Sequence, residues 1–166
     1  MIKAATDIFI ERKAIAEHLR DVSDPEIPGI SIVDLGMVID ILKQKEKWQI
    51  VLAPTYSGCP AIDVIPMMVE SRLNEAGYAD VDVIMEISPP WSTDWISDEG
   101  KQKLLHYGIA PPNGMSNINS DEGKPKSCPQ CGSGETILIS RYSSTPCKAA
   151  YRCEVCKEPF EYFKCF

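Results

Sequence analysis

Residues 48–66 read Trp-Gln-Ile-Val-Leu-Ala-Pro-Thr-Tyr-Ser-Gly-Cys-Pro-Ala-Ile-Asp-Val-Ile-Pro, a strand, a loop and the start of a helix. Trp48–Ala53 is a short apolar run that ends at a proline, which is typical of a strand. Pro60 suits the first position of a helix that runs to Ala76, because its fixed φ is already helical. Pro66 lies inside this helix and is expected to kink or shorten it.

Further elements on both sides of this stretch predict a mixed fold. Asp7 to about Val22 has apolar residues at helical spacing. Met37–Lys43 pairs with the Trp48 strand as a hairpin, and Val81–Ile87 follows the helix as a third strand. The strand–helix–strand passage therefore predicts a right-handed crossover. Ser97 is expected to cap a short helix over Asp98–Tyr107.

The chain divides into two modules on composition. Residues 113–127 are rich in Gly, Ser, Asn and charge, which favours a linker. We predict an α+β protein: a small αββαβα domain over 1–112, followed by a strand-rich, zinc-ribbon-like module over 128–166. Within that module, Thr136–Arg141 and Phe160–Lys164 are the expected strands.

Charge and hydropathy narrow the class of protein. The chain of 166 residues has a net charge of −7, so it lacks the basic surface of a nucleic-acid binder. The N-terminal apolar stretch is broken by charges, and no run reaches the roughly 20 apolar residues that span a bilayer. We therefore expect a cytoplasmic protein with no nucleic-acid or membrane partner. Its seven cysteines are then reduced and available to bind a metal.

Two CxxC motifs predict a metal site in the C-terminal module. They are Cys128-Pro-Gln-Cys131 and Cys153-Glu-Val-Cys156. Two residues between cysteines allow a tight turn to direct both sulfurs at one ion, and two such turns complete a tetrahedral site. A segment of about 40 residues rarely folds alone, whereas a structural zinc can supply ~10–16 kcal/mol. We predict one zinc ion here, with iron as the alternative.

Cys147 and Cys59 each allow two interpretations, one structural and one functional. Cys147 could be a further metal or redox thiol, although such residues are more often small core side chains. Cys59 follows Gly58 and falls at the predicted start of the helix, where backbone N–H groups and the helix dipole would stabilise a thiolate. Asp63 opposes this effect. On the residues alone, a buried structural Cys59 is at least as well supported as a functional one.

Three acidic residues, Asp24, Glu26 and Asp34, could take part in acid–base or metal chemistry. Asp24-Pro25 and Asp34-Leu-Gly36 are also typical of turns in which aspartate caps backbone groups. We predict that the run from Asp24 to Gly29 is a turn-rich loop. For the aspartates, capping of turns is a better-supported interpretation than acid–base chemistry.

Two stretches of the N-terminal region resemble a known domain. Asp24-Pro-Glu-Ile-Pro-Gly-Ile-Ser-Ile-Val-Asp34-Leu-Gly, together with Pro54-Thr-Tyr-Ser-Gly-Cys59-Pro60, is similar to the iron–sulfur cluster assembly domain of SufT-like proteins. The resemblance covers roughly residues 8–112 and implies a small α/β fold. It implies that Cys59 is the functional cysteine, with Asp24, Glu26 and Asp34 as the acidic motif, and that a transient iron–sulfur cluster is handled.

A second resemblance runs nearly from end to end. Pro89-Pro-Trp-Ser-Thr-Asp-Trp, the four-cysteine tail, and Ser144-Thr-Pro-Cys147 are similar to the D-component family of the bacterial phenylacetyl-CoA epoxidase. This implies a non-catalytic accessory of a multicomponent monooxygenase in aerobic phenylacetate breakdown. The implied partners are its oxygenase and its iron–sulfur flavin reductase, and a homodimer stays open. A rubredoxin-like electron-transfer subunit and a purely structural subunit are the alternatives.

Overall fold

The computed structural model describes residues 2–56, 58–113 and 124–164, with the side chains from residue 8 onward. The chain forms two compact units, Met1–Trp91 and Ser92–Phe166. Each unit has its own sheet and its own buried side chains, and each is described by itself.

The first unit packs two helices on a three-stranded sheet. Its elements in chain order are α1 (Ile2–Leu19), β1 (Ser23–Asp24), β2 (Ile27–Ser31), β3 (Val38–Gln44), β4 (Lys47–Leu52), α2 (Val64–Glu75) and β5 (Val81–Met85). Strand β4 is central: it pairs antiparallel with β3 and parallel with β5. The parallel pair requires a crossover, which α2 provides. The predicted strand–helix–strand passage is therefore confirmed.

The core of this unit follows the predicted periodicity. Ile15 and Leu19 of α1 are buried, and so are Ile65, Val69 and Leu73 of α2. These side chains are spaced four residues apart, so each helix turns one apolar face inward. Helix α1 contacts α2 and β3, and α2 contacts β5.

Two predicted features of this unit differ from the structure. Helix α2 begins at Val64, after a separate 3₁₀ turn of Pro60–Ile62. Pro66 thus lies in the first turn of α2, where no intrahelical N–H bond is needed, and it shortens the helix instead of kinking it. The expected loop from Asp24 to Gly29 contains the small antiparallel pair of β1 and β2. That pair forms because the Asp24 side chain closes the turn between the two strands.

The second unit is built on a four-stranded sheet. Its elements are α3 (Asp98–His106), β6 (Ile109–Ala110), β7 (Thr136–Ser140), β8 (Lys148–Cys153) and β9 (Pro159–Phe163). The strand order is β6-β9-β8-β7. Ser97 caps α3 as predicted, since its hydroxyl accepts a hydrogen bond from the Gly100 N–H at 2.9 Å. Strands β6 and β8 were not predicted.

Strand β6 pairs with β9, so α3 and β6 belong to the same unit as the four-cysteine region. The predicted linker, 113–127, lies largely on residues 114–123, which are outside the described residues. The modules 1–112 and 128–166 stay a prediction about domain organisation. Across the described parts of the chain, no helix combines the length and the apolar character needed to cross a membrane.

Candidate metal centre and the Cys59 site

The two CxxC motifs fold into knuckles with the same hydrogen-bond pattern. In the first knuckle, the Gly132 N–H donates to the Cys128 carbonyl at 2.9 Å, and the Cys128 N–H donates to the Ser133 carbonyl at 2.7 Å. In the second knuckle, the Lys157 N–H donates to the carbonyl of Cys153 at 3.1 Å, and the Cys153 N–H donates to the Glu158 carbonyl at 3.0 Å.

The residue that follows each knuckle has a left-handed backbone. Gly132 has φ +76° and Lys157 has φ +67°. Glycine adopts this conformation readily, whereas a lysine does so at a steric cost. The two turns thus share one backbone conformation, although only the first is followed by glycine.

The four sulfurs converge on one point. The ligand atoms of Cys128, Cys131, Cys153 and Cys156 all lie within 4.8 Å of one another. Across the knuckles, the Cys128 and Cys156 Sγ atoms are 3.8 Å apart, and those of Cys131 and Cys153 are 3.5 Å apart. A tetrahedral ion with bonds of about 2.3 Å to sulfur places its ligands about 3.8 Å apart. The donor set and its spacing therefore fit zinc, and the same geometry accepts iron.

Two of the four thiols have strongly shifted pKa values, in opposite directions. Backbone N–H groups of Cys156 and Val155 lower the pKa of Cys153 to about 6, although burial opposes them. The Glu158 N–H also lowers the pKa of Cys156, but burial and the sulfurs of Cys131, Cys153 and Cys128 outweigh it and raise that pKa to about 12. Four thiolates this close repel one another unless a divalent cation lies between them.

The site is buried on one side only. Cys128 and Cys153 are buried, Cys156 is half-buried and Cys131 is exposed. Behind the two buried sulfurs lies a small aromatic core, in which the Tyr151 ring stacks on Phe160 with centroids 6.0 Å apart. The knuckles thus close over the end of the sheet, and the metal would join the two loops to this core.

Cys147 lies apart from the four-sulfur cluster. Among the described residues, the group that could hold a metal consists of the four knuckle cysteines. Cys147 is buried, and its Sγ is 2.9 Å from the Thr145 hydroxyl oxygen. Its backbone carbonyl accepts the Lys164 N–H at 3.0 Å. These contacts are those of a small buried core side chain. A further metal or redox role for Cys147 stays a prediction.

Cys59 lies in the loop between β4 and the 3₁₀ turn and is only 5% exposed. Burial is the largest cause that raises its pKa, and the charges of Glu26 and Asp24 raise it further. The Ala61 N–H and the Thr55 hydroxyl act in the opposite direction. The predicted stabilisation of a thiolate by backbone N–H groups is present at Ala61, but it is outweighed, and the net pKa of Cys59 is raised. The turn after Cys59 has only three residues, and burial and two carboxylates outweigh its N–H groups.

The structure brings two of the three predicted acids into the electrostatic surroundings of Cys59. The charges of Glu26 and Asp24 both raise its pKa. Asp24 also closes a turn, since its Oδ1 accepts the N–H groups of Glu26 at 2.8 Å and Ile27 at 3.0 Å. This turn chemistry was predicted.

Asp34 has the turn role that its sequence favours. Its Oδ2 accepts the Ser31 N–H at 3.0 Å, and the Ser31 hydroxyl accepts the Asp34 N–H at 3.0 Å. This reciprocal pair closes the turn after β2. A role for Asp34 in cluster transfer stays a prediction.

Two contributors to these sites were not predicted from the sequence. Thr55 hydrogen-bonds the Cys59 thiol from four residues earlier in the same loop. Lys157 takes the left-handed position that Gly132 takes in the other knuckle. Alignment of the two knuckles against each other would have found Lys157. Thr55 carried no sequence signal, because a threonine after a strand is common.

Comparison with known proteins assigns both regions. Residues 12–84 match the family described as iron-sulfur cluster assembly protein, and 113–164 match the PaaD zinc beta ribbon domain. The crystal structure of a domain of unknown function, DUF59, from Bacillus anthracis is 30% identical. It covers 56% of this chain and 90% of its own, with a TM-score of 0.52. A conserved hypothetical protein from Thermotoga maritima is 26% identical over 56% of this chain and 92% of its own, with a TM-score of 0.48.

One relative matches most of the length of the chain. The D component of the putative 1,2-phenylacetyl-CoA epoxidase of Escherichia coli strain K12 is 43% identical over 147 residues. The match covers 89% of this chain and 88% of the relative. A match of 147 of the 166 residues must include most of the iron–sulfur assembly region and most of the four-cysteine ribbon. The chain therefore belongs to the D-component family of the phenylacetyl-CoA epoxidase.

Proposed function

We propose that this chain is an accessory maturation component of the phenylacetyl-CoA 1,2-epoxidase, the ring-epoxidising monooxygenase of aerobic phenylacetate catabolism. In this role it helps to load iron or an iron–sulfur cluster into that enzyme, and it does no oxygen chemistry alone. One observation carries the proposal: Cys59 lies in the region that matches iron–sulfur cluster assembly proteins, within the field of Asp24 and Glu26.

The chemistry of Cys59 supports cation capture. Negative charge from Asp24 and Glu26 favours the protonated thiol over the bare thiolate. The same field favours a bound metal cation, which replaces the proton on sulfur. Loading would then form a sulfur–iron bond, break the S–H bond and release one proton. Iron or a cluster core is the cargo in this scheme.

A single thiol implies a transient complex. Iron in clusters takes four ligands, and Cys59 offers one. The remaining ligands would come from the client or from a second copy of the chain. A site with one thiolate and weak carboxylate neighbours binds cargo loosely enough to pass it to a client that supplies more thiolates.

We assign the four-cysteine site a separate, structural role. It would hold one zinc ion that fixes the ribbon, since closed four-cysteine sites are usually structural. An electron-transfer function would require iron at this site. Metal analysis and colour decide between them, because an iron–thiolate protein absorbs visible light and a zinc one does not. We expect a colourless protein with one equivalent of zinc.

The test of the maturation role compares two buried cysteines. The epoxidase subunits are produced in cells together with wild-type chain, Cys59→Ala or Cys147→Ala, at matched protein levels. We expect Cys59→Ala to abolish epoxidase activity and to lower the iron content of the oxygenase or the reductase. Cys147→Ala should have a much milder effect, because both changes remove a buried thiol but only Cys59 lies in the region that matches iron–sulfur cluster assembly proteins.

Fold controls accompany both variants. Cysteine-to-alanine changes in a core typically destabilise by about 1 kcal/mol. Both variants should therefore keep their tail zinc and their circular dichroism. If Cys59→Ala supports full client activity, the maturation role is wrong and the structural-subunit alternative replaces it.

A further inference from the structure

The end of β7 exposes an apolar surface in the second unit. Leu138 is 47% exposed, Ile139 57% and Tyr142 67%. These three residues lie within five positions of one another, at an edge of the four-stranded sheet. Arg141 is also exposed there, and the Lys164 ammonium lies 4.6 Å from the centre of the Tyr142 ring. We call Leu138, Ile139, Arg141, Tyr142 and Lys164 the Tyr142 patch.

The loop after β7, which carries Arg141 and Tyr142, is fixed by contacts with Glu161. The Glu161 carboxylate accepts the Ser143 hydroxyl at 2.6 Å and the Ser144 N–H at 3.1 Å. Its other oxygen is 3.0 Å from the ammonium of Lys148, whose side chain is 4% exposed. Lys164 also donates to the Arg141 carbonyl at 3.3 Å. A surface fixed in this way loses little conformational entropy when a partner binds.

The charges of the patch select the chemistry of its partner. The whole net charge of −7 lies on residues 1–91, whereas 92–166 carry nine acidic and nine basic residues. Arg141 and Lys164 place two cations beside exposed aliphatic and aromatic groups. In the described residues, Arg141 has no carboxylate within ion-pair distance. Tyrosine and arginine are the side chains most often found at the centre of protein interfaces.

From this we infer that the Tyr142 patch docks another subunit of the epoxidase through an apolar surface rimmed with carboxylates. The inference rests on the family of the chain and does not depend on the maturation role. A second copy that docked through the same face would bring cations against cations. The β-bulge between Leu138 and Ser140 also interrupts the edge strand, which disfavours strand pairing between copies. Nucleic acid fits less well, because two cations on a chain of net charge −7 give it little attraction.

The test measures binding of the full-length, zinc-loaded chain to each purified remaining subunit of the epoxidase. We expect wild type to bind one of them and to lose about tenfold in affinity between 50 mM and 500 mM salt, because the cations contribute. Tyr142→Asp should weaken binding by about 30-fold or more, as for a central aromatic contact. Arg141→Glu should weaken it about fivefold, mostly through slower association.

A matched control locates the effect on the patch. Ile87→Asp alters a side chain of nearly equal exposure, 69%, in the first unit, and it should change affinity less than threefold. Zinc content and circular dichroism verify folding, and Tyr142→Ala serves in place of Tyr142→Asp if the charge disrupts the sheet. Cys59→Ala should bind like wild type, which separates docking from maturation.

Several outcomes would overturn the inference. They are wild type that binds none of the subunits, equal losses in Tyr142→Asp and Ile87→Asp, and full affinity in both Tyr142→Asp and Tyr142→Ala. Self-association of the chain that Tyr142→Asp abolishes would assign the patch to a second copy instead.

Discussion

Replacement of Glu161 by glutamine tests the ion pair with Lys148 that stabilises the second unit, here called the tail unit. The substitution keeps the shape of the side chain and an oxygen for the Ser143 hydroxyl, but it removes the charge opposite Lys148. Lys148 is then left nearly fully buried without a counter-ion. Loss of one partner of a buried pair is strongly destabilising, because the remaining charge is neither paired nor hydrated.

The structure gives the size of this effect. Burial alone would raise the pKa of Glu161, but the hydroxyls of Ser143 and Ser144 and the ammonium of Lys148 lower it from 4.5 to about 2. A shift of this size corresponds to about 3 kcal/mol of stability at neutral pH. The Glu161 side chain is 27% exposed, so solvent screening is modest. We expect Glu161→Gln to lower the free energy of unfolding of the tail unit by about 3 kcal/mol.

The sign of the pH dependence follows from the lowered pKa. The stabilising charge is fully present above about pH 4.5 and is lost as pH falls toward 2. The difference between wild type and Glu161→Gln should therefore be constant between pH 6 and 8. Guanidinium unfolding of the zinc-loaded chain, followed by the near-ultraviolet circular dichroism of the tail tyrosines, measures it.

An exposed ion pair in the same unit provides the control. Arg152 and Glu154 are 3.1 Å apart, with side chains 46% and 37% exposed. Glu154→Gln should change stability by less than about 0.5 kcal/mol, because solvent screens such pairs. If Glu161→Gln is as mild as Glu154→Gln, the buried pair does not hold the loop, and the account of a fixed Tyr142 patch loses its basis.

Three further outcomes are expected. Cys128→Ser should lose one equivalent of metal and unfold the tail while residues 1–91 stay folded; absence of both zinc and iron from wild type would contradict this. Gly132→Ala should destabilise the zinc-loaded tail by about 1 kcal/mol, and Lys157→Gly should leave it equal or more stable, because only glycine adopts a positive φ without strain. The isolated chain should not convert phenylacetyl-CoA, since two histidines and no Glu-x-x-His pair cannot form a di-iron site; oxygen-dependent product from this chain alone would refute it.

The metal centre could be predicted from the sequence because its geometry is local. Each CxxC knuckle is closed by hydrogen bonds within six residues, such as that from Cys128 to Ser133. The only long-range requirement is that the two knuckles meet, and paired spacing already implies this. Helix α2 and strand β4 could be predicted for a related reason, since the helical periodicity of α2 and the continuous apolar run of β4 are each contained in a single segment.

The remaining features depend on contacts between distant segments. Strand β6 is two residues long and exists because β9 lies beside it, so Ile109 and Ala110 carry no periodic signal. The pKa of Cys59 was expected to fall because the helix start was visible in the sequence. Its burial and its proximity to Glu26 arise only from the fold, and they reverse the direction.

The maturation role is tested most directly by the metal content of the client enzyme. The oxygenase and the reductase of the epoxidase are each produced with and without this chain, purified, and assayed for bound iron and for activity when recombined. If this chain is a maturation factor, one of them lacks iron when the chain is absent, and the loaded enzyme, once made, works in vitro without it. Full iron content and full activity in the absence of this chain would contradict the account.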